Sequence, residues 1–376
     1  MENNLIRARI DLNALAHNLA QTRVIVGPQI RIMGVVKGDA YGHGLVPVAA
    51  CLARSGVDAL GVMDLHEALV IRDAGLEDIP VYILAGFESE HMDEIVKRDL
   101  IPFIYDVRLA RELNQAARGL ARKVRVTLKI DTGMNRLGVP FDQAEGFLDA
   151  VSGLDHLEVT GLATHLSEAD FEDSSFIERQ LDRFEDAIEI GTTKGYYLTA
   201  NSAANSAAVL SHPRSYYQMV RPGLMLYGAP PGRHQTGRAD LRPVMSVTSR
   251  VIQVKKIEPG SPVSYGRTWI ASQDTLLATL PVGYVHGYNR RLSDQGYVLI
   301  RGQKAPIRGR VCMNLMMADV THIPEARPGD EVVLLGSQDT EVITGDSLAE
   351  KIGTISYEVY CTFGGLNYRE YIGEAE

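Results

Sequence analysis

Cysteine is scarce in this chain. Cys51, Cys312 and Cys361 are the only three in 376 residues, odd in number and far apart. With no CxxC pair and no metal-ligand spacing, they exclude a disulfide scaffold and a zinc site, and they read as reduced thiols. Positive charge is also in deficit: 38 Lys and Arg face 47 Asp and Glu, a formal net charge of −9 at pH 7. An acidic surface attracts neither nucleic acid nor an anionic membrane. Long apolar runs are missing as well, none reaching the ~18 residues of a membrane span. The opening MENNLIRARIDL lacks the charged-then-apolar profile of a signal peptide. These absences leave a soluble, cytoplasmic protein that handles a small molecule. No internal repeat or low-complexity tract is present.

The length exceeds what one core usually holds, so about two domains are expected. Apolar runs at 30–36, 57–63, 80–85, 100–104, 124–130, 157–164, 196–200 and 219–227 read as strands. They alternate with helix-like stretches such as 106–118, 142–151 and 175–194. Eight β/α units in about 230 residues predict an α/β fold with an N-terminal (β/α)8 barrel over residues 11–232. Gly, Pro and Arg then crowd into a linker at 230–245. Beyond it, short β-patterned runs at 246–256, 275–282, 297–301, 305–311 and 331–335 predict a mainly-β domain, residues 233–376. The opening strand within residues 1–10 has no place in the barrel and is expected to join that β domain.

The stretch IRIMGVVKGDAYGHG, Ile30–Gly44, organises the rest. An apolar strand delivers the amine of Lys37 to a Gly-rich turn holding Asp39, Tyr41 and His43. A partly desolvated amine has a lowered pKa, which suits Schiff-base chemistry. In a (β/α)8 barrel functional groups gather at the C-terminal ends of strands. Lys37, Asp131, Arg136, His165, Asn201 and Ser202 fall at or just past such ends and Arg221 and Gly223 lie within the eighth run, with Ser202 and Gly223 where these barrels often hold phosphate. Each taken singly also suits ordinary loop polarity, Asn-Ser as a helix cap and Pro-Gly as a turn. On strand 124–130, Lys129 alternates with the apolar positions and so faces the lumen. A buried ammonium there needs a carboxylate neighbour, a neutralising pKa shift or a covalent change that removes its charge. In the β domain, VSYGRTW around Tyr265 and TISYEV around Tyr357 are aromatic clusters that packing alone would also explain.

Taken together, VVKGDAYGHG, KIDTGMNRLG, THLSEAD with QLDRF, ANSAA, MVRPGLMLYG, VSYGRTW, LPVGYVHGY, GRVCMN and GTISYEV occur in the order and approximate spacing of the bacterial alanine racemases. The resemblance runs from about Ile10 to Cys361. It implies a homodimer of barrel-plus-β-domain chains that uses pyridoxal 5′-phosphate to interconvert L- and D-alanine. It further implies that Lys37 holds the cofactor covalently and acts as base on the D face, with Tyr265 of the partner subunit acting on the L face. Arg221 would hydrogen-bond the pyridine nitrogen, and His165 would link Tyr265 and Arg221. Tyr41, Ser202, Gly223, Leu224 and Tyr357 would bind the phosphate, with Asn201 beside them. Arg136 would contact the cofactor phenolate oxygen and the substrate carboxylate, Met313 of the partner subunit would place a backbone amide near that carboxylate, and Lys129 matches a lysine that is carbamylated in many members. Tyr284, Arg290 and Arg310 would line the access channel. Three departures stand out: Gly38-Asp39 for the usual Ala-Asn, Asn314 for the usual Asp, and Gly365–Arg369 for the usual RVPR. Asn314 keeps a broad-specificity or serine racemase open as the alternative, whereas Tyr357 favours an alanine-sized pocket. A barrel that binds pyridoxal phosphate without racemising would lack the β domain and the Tyr265 motif.

Overall fold

The computed structural model describes residues 5–173 and 175–373. Strand β1 (Arg7–Asp11) opens the chain in the sheet of the C-terminal unit. The parallel array of the N-terminal unit follows: β2 (Arg31–Val35), β3 (Ala59–Asp64), β4 (Val81–Gly86), β5 (Leu100–Ile104), β6 (Val124–Asp131), the short β7 (Val139–Pro140) beside β6, β8 (Leu157–Ala163) and β9 (Met219–Val220). The strands pair in the order β9-β2-β3-β4-β5-β6, with β8 on the far side of β6. Amphipathic helices connect them. Val107–Gly119 is started by Asp106, whose carboxylate accepts the Arg108 and Leu109 N–H groups, and it buries Leu109, Leu113 and Ala117.

The predicted seventh strand, 196–200, is not a regular strand. The ring closes there by single contacts: Thr199 N–H donates to Thr160 O at 2.8 Å, Ser202 N–H to Leu162 O at 3.0 Å, and Met219 N–H to Asn201 O at 3.2 Å. The Asn201 side chain takes a ladder position itself, its Oδ1 accepting the Leu162 N–H at 2.8 Å. The approach is so close that a Cβ on Gly161 would lie 2.5 Å from the Ala200 carbonyl. The eighth strand is likewise shorter than the predicted 219–227, because Pro222 and Gly223 break it and Leu224–Tyr227 turns into a tight helical coil. Met33, Ala59, Tyr82, Ile101, Phe103, Ala163, Ala200 and Met219, from every ring position except β6, pack into one buried cluster.

The C-terminal unit comprises β10 (Met245–Arg250), β11 (Gln253–Ile257), β12 (Pro262–Val263), β13 (Trp269–Ile270), β14 (Thr275–Leu280), β15 (Tyr297–Ile300), β16 (Gln303–Pro306), β17 (Met316–Asp319), β18 (Glu331–Gln338), β19 (Glu341–Ile343) and β20 (Tyr368–Ile372). The predicted run 246–256 is therefore two strands, which enter different sheets, and the run at 305–311 ends early at Pro306. The main sheet runs β16-β15-β18-β10-β1-β20, with β1 antiparallel to β10 and parallel to β20. Two helices, Gly345–Ile352 and Ser356–Leu366, were not apparent in the β-patterned sequence. Tyr41–Gly44 belongs to this unit too, whereas Ala14–Ala40 and Leu45–Arg242 form the barrel unit.

Candidate active site

Lys37 stands two residues beyond the end of β2. Its root is tied into the barrel: Val36 N–H donates to Gly61 O at 2.8 Å and Val35 N–H to Pro222 O at 2.9 Å. The chain then enters an unbroken left-handed run, with φ of 65° at Gly38, 53° at Asp39, 54° at Ala40, 55° at Tyr41 and 82° at Gly42. Left-handed backbone costs a residue with a Cβ roughly 1–2 kcal/mol, so three such residues in succession need support. That support is visible. The Glu67 carboxylate accepts Gly38 N–H at 2.7 Å and Asp39 N–H at 3.1 Å through Oε1, and Met63 N–H at 2.8 Å through Oε2. Ala40 N–H reaches Val36 O at 2.8 Å, and Asp39 Oδ1 accepts the Leu45 N–H at 2.7 Å. Sequence reasoning missed Glu67; its one signal was a carboxylate in the first turn of Leu65–Asp73, behind the capping Asp64.

Further round the rim, Arg221 lies just past β9 and is buried. Its guanidinium donates to Ser202 Oγ at 2.5 Å, Thr164 O at 2.6 Å and Ala203 O at 3.3 Å. Burial pushes its pKa down to about 10, so it remains a cation at neutral pH. Ser202 Oγ donates onward to Met219 O at 2.6 Å. Lys129 is buried in the lumen, its Nζ 5.8 Å from the Phe103 ring centroid. Its pKa is held well below the usual lysine range, first by burial and then by Arg221 and Arg136. The neighbouring carboxylate that charge balance called for acts only weakly: Asp131 opposes the shift less than either arginine. Instead Asp131 Oδ1 accepts the Gly133 and Asn135 N–H groups and shapes the turn that carries the exposed Arg136.

His165 follows β8. Burial, then Lys129, Arg221, Arg136 and Lys37 in that order, hold its pKa well below the usual value, so the imidazole is neutral. Its carbonyl accepts Gln180 Nε2 at 3.1 Å, and the same amide's Oε1 accepts the Ser167 N–H at 3.0 Å. Gln180, from the QLDRF stretch, is a second residue that its sequence position alone did not single out. Ser206 is a third: its Oγ accepts the Gly223 N–H at 2.8 Å and the Met225 N–H at 3.3 Å, so the Gly223 amide is tied to the start of the helix Ser206–Ser211.

The barrel unit thus brings together Lys37, Lys129, Arg136, His165, Asn201, Ser202, Arg221, Gly223 and Leu224. The remaining predicted residues lie in the C-terminal unit. Tyr41 and Tyr357 face each other with ring centroids 5.8 Å apart. Burial first, then Tyr357 and Cys361, raises the Tyr41 pKa, so its hydroxyl stays protonated and can donate. Arg369, in the segment that departs from the family pattern, donates to Gly42 O at 3.2 Å, and Asn367 Nδ2 donates to Phe363 O at 2.8 Å. Tyr265 is 73% exposed and Met313 54%. Tyr265 follows Ser264, whose φ of 61° and ψ of −172° form a backbone shape normally left to glycine. Ser264 Oγ fixes that shape by donating to Arg310 O at 2.7 Å.

Lys129, Arg221, Arg136 and Lys37 all disfavour a charged His165, and the two arginines in turn disfavour a charged Lys129. That donor set fits a polyanion carrying a phosphate and a phenolate, together with a substrate carboxylate, as pyridoxal phosphate and an amino acid would supply.

The alanine racemase N-terminal domain model matches residues 10–231 and the C-terminal domain model residues 244–371. An alanine racemase of Syntrophobacter fumaroxidans is 43% identical over 362 residues, 96% of each chain. The crystal structure of alanine racemase from Streptomyces lavendulae superposes with a TM-score of 0.94 at 31% identity, over 100% of this chain and 98% of that one. That of the Bartonella henselae enzyme, with covalently bound pyridoxal phosphate, gives 0.89 at 26% identity over 98% and 99%. On both domains and over nearly its full length, the chain belongs to the alanine racemase family and is an amino-acid racemase.

Proposed function

We propose that this chain interconverts L- and D-alanine by a two-base mechanism, with Lys37 serving the D face and Tyr265 of the partner subunit the L face. The observation that carries this reading is the Lys37 amine at the strand end on the same rim as a neutral His165 imidazole and the Arg221 and Arg136 guanidinium groups. The cofactor is pyridoxal 5′-phosphate. Lys37 would hold it covalently, Tyr41, Tyr357, Ser202 and the backbone of Gly223 and Leu224 would hold its phosphate near Asn201, and Arg136 its phenolate oxygen. Once bound, it supplies the electron sink that makes the substrate Cα proton removable.

The protein's own groups do the rest. Arg221, held by three acceptors and still charged at neutral pH, would offer the pyridine nitrogen a hydrogen bond while keeping its proton. Arg136 and the backbone of Met313 of the partner subunit would orient the substrate carboxylate, placing Cα between the two bases. Neutral His165 can accept a proton-sharing hydrogen bond from a tyrosine hydroxyl while its other nitrogen donates. The exposure of Tyr265 in the single chain supports its use by a second copy in a homodimer. Cys51, Cys312 and Cys361 as thiols, none of them in a disulfide, fit a reducing cytoplasm. Among the described residues no helix is long and apolar enough to cross a membrane. D-Alanine made there would serve peptidoglycan synthesis.

The test is complementation. Lys37→Ala and Tyr265→Ala chains should each be inactive alone on L- and D-alanine, and mixing them after dissociation should restore activity, because the hybrid dimer has one intact site. No recovery, from chains shown to exchange subunits, would refute the shared site. L-Serine in the same assay decides substrate breadth: a rate equal to that on alanine selects the broad-specificity racemase.

Lys129 carries a second expectation. Burial, Arg221 and Arg136 all disfavour the charged Lys129, and in its neutral form the amine is a nucleophile for carbon dioxide; the product, a carbamate plus a released proton, puts an anion where two cations favour one. Intact mass under neutral bicarbonate should show the mass of one carbon dioxide. Lys129→Met should abolish it.

A further inference from the structure

The residues that face the cofactor do not explain how Lys37 is aimed. An apolar strand followed by five residues at positive φ has no intrinsic reason to persist: outside glycine, every member prefers the right-handed or extended region. Glu67 supplies the reason. Asp64 caps its helix and accepts the Glu67 N–H at 3.0 Å, so the backbone from which the side chain projects is fixed. The carboxylate then gathers three N–H groups, from Gly38 and Asp39 in the turn and from Met63 at the end of β3. Successive amides converging on one anion form an anion nest, here filled by the protein's own side chain. Charge-assisted bonds of this kind are roughly twice as strong as neutral ones, and the nest ties the turn to a barrel strand, not to solvent.

We infer that Glu67 is a positioning residue for Lys37: its carboxylate locks the left-handed turn and thereby fixes the direction in which the amine leaves the barrel. The inference rests on the role given to Lys37 above. Without the carboxylate, the amides of 38, 39 and 63 lose their acceptor and the turn relaxes toward ordinary backbone. The amine then shifts relative to substrate oriented by Arg136. Glu67 itself touches no reacting atom.

The test compares Glu67→Ala, Glu67→Gln and Ile71→Ala. Ile71 is fully buried on the same helix and makes none of these contacts, so its truncation destabilises without touching the nest. Hydrogen exchange of the cofactor-free protein should show the amides of Gly38, Asp39 and Met63 protected in the parent and exposed in Glu67→Ala. In Glu67→Gln, one oxygen cannot serve all three, so at least one amide is lost. On the loaded enzyme, kcat should fall by about 10²-fold in Glu67→Ala with KM little changed, and Glu67→Gln should lie between. Ile71→Ala should lower the melting temperature while leaving amide protection and kcat near the parent. Unchanged protection or kcat in Glu67→Ala overturns the inference, as does Ile71→Ala reproducing the full pattern. If Glu67→Ala does not fold, Glu67→Gln decides on the same two readings. Lys37→Ala separates the two levels of argument: if it keeps the covalent cofactor's visible band, the assignment of Lys37 fails, whereas the exchange result on the turn stands by itself.

Discussion

His165 is neutral because burial first, and then Lys129, Arg221, Arg136 and Lys37, disfavour its charged form. This has a measurable consequence for stability. Its folded-state pKa is lowered, so between that value and the unfolded value of about 6.5 the unfolded chain binds a proton that the folded chain refuses. Stability therefore falls as the pH drops below about 6.5, with a slope of up to about 1.4 kcal/mol per pH unit from this residue. His165→Gln removes that component. Denaturant melts of the two chains across this range should diverge, the parent declining faster on acidification; parallel declines would show that the imidazole is protonated in the native state. The other polar residues of the rim were legible as types, since an amine, an imidazole and a guanidinium at strand ends suggest chemistry. Their partners were not legible. Nothing in the spacing of Ser206 or Gln180 reveals that one would accept the Gly223 amide and the other would hold the His165 carbonyl.

At the scale of the element, the left-handed turn is the feature that local propensity describes least well. Gly38 is the one member of its first three residues to which the conformation costs little, and a Cβ there would meet nothing within 4 Å. Gly38→Ala, which restores the residue usual in the family, isolates the backbone term. It should cost about 1 kcal/mol of stability in denaturant melts while leaving cofactor binding intact. A neutral effect would mean that the turn adapts. The seventh barrel position teaches a related lesson. Residues 196–200 carry strand-like side chains, yet the closing contacts come from isolated amides and from the Asn201 side chain. Strand propensity describes a fit to a regular ladder, and at a closing seam that ladder does not exist.

At the scale of the molecule, each unit is discontinuous in sequence. β1 lies between β10 and β20 inside the main sheet of the C-terminal unit, and Tyr41–Gly44 packs there as well. In that packing a Cβ on Gly364 would meet Gly42 O at 1.9 Å. A fragment of residues 243–376 alone would leave β10 and β20 with unpaired edges and a vacated central place. It should show no cooperative thermal transition, and addition of a peptide covering 5–13 should be needed to produce one. A fragment that melts cooperatively by itself would contradict this reading.

What the sequence by itself determined is the order of chemistry-bearing motifs and the alternation of apolar runs, because burial periodicity and glycine placement are local properties of the chain. These made the barrel, the family and the residue types at the rim readable. The short eighth strand, the split of 246–256 and the two late helices were decided by tertiary structure. So were the left-handed set of residues 38–42 and the identity of the groups holding it. Each depends on a partner distant in sequence: Glu67 for the turn, Leu162 for Asn201, β1 for the C-terminal sheet. A hydrogen bond to a distant amide leaves no period in the sequence, and only the folded chain brings its two ends together.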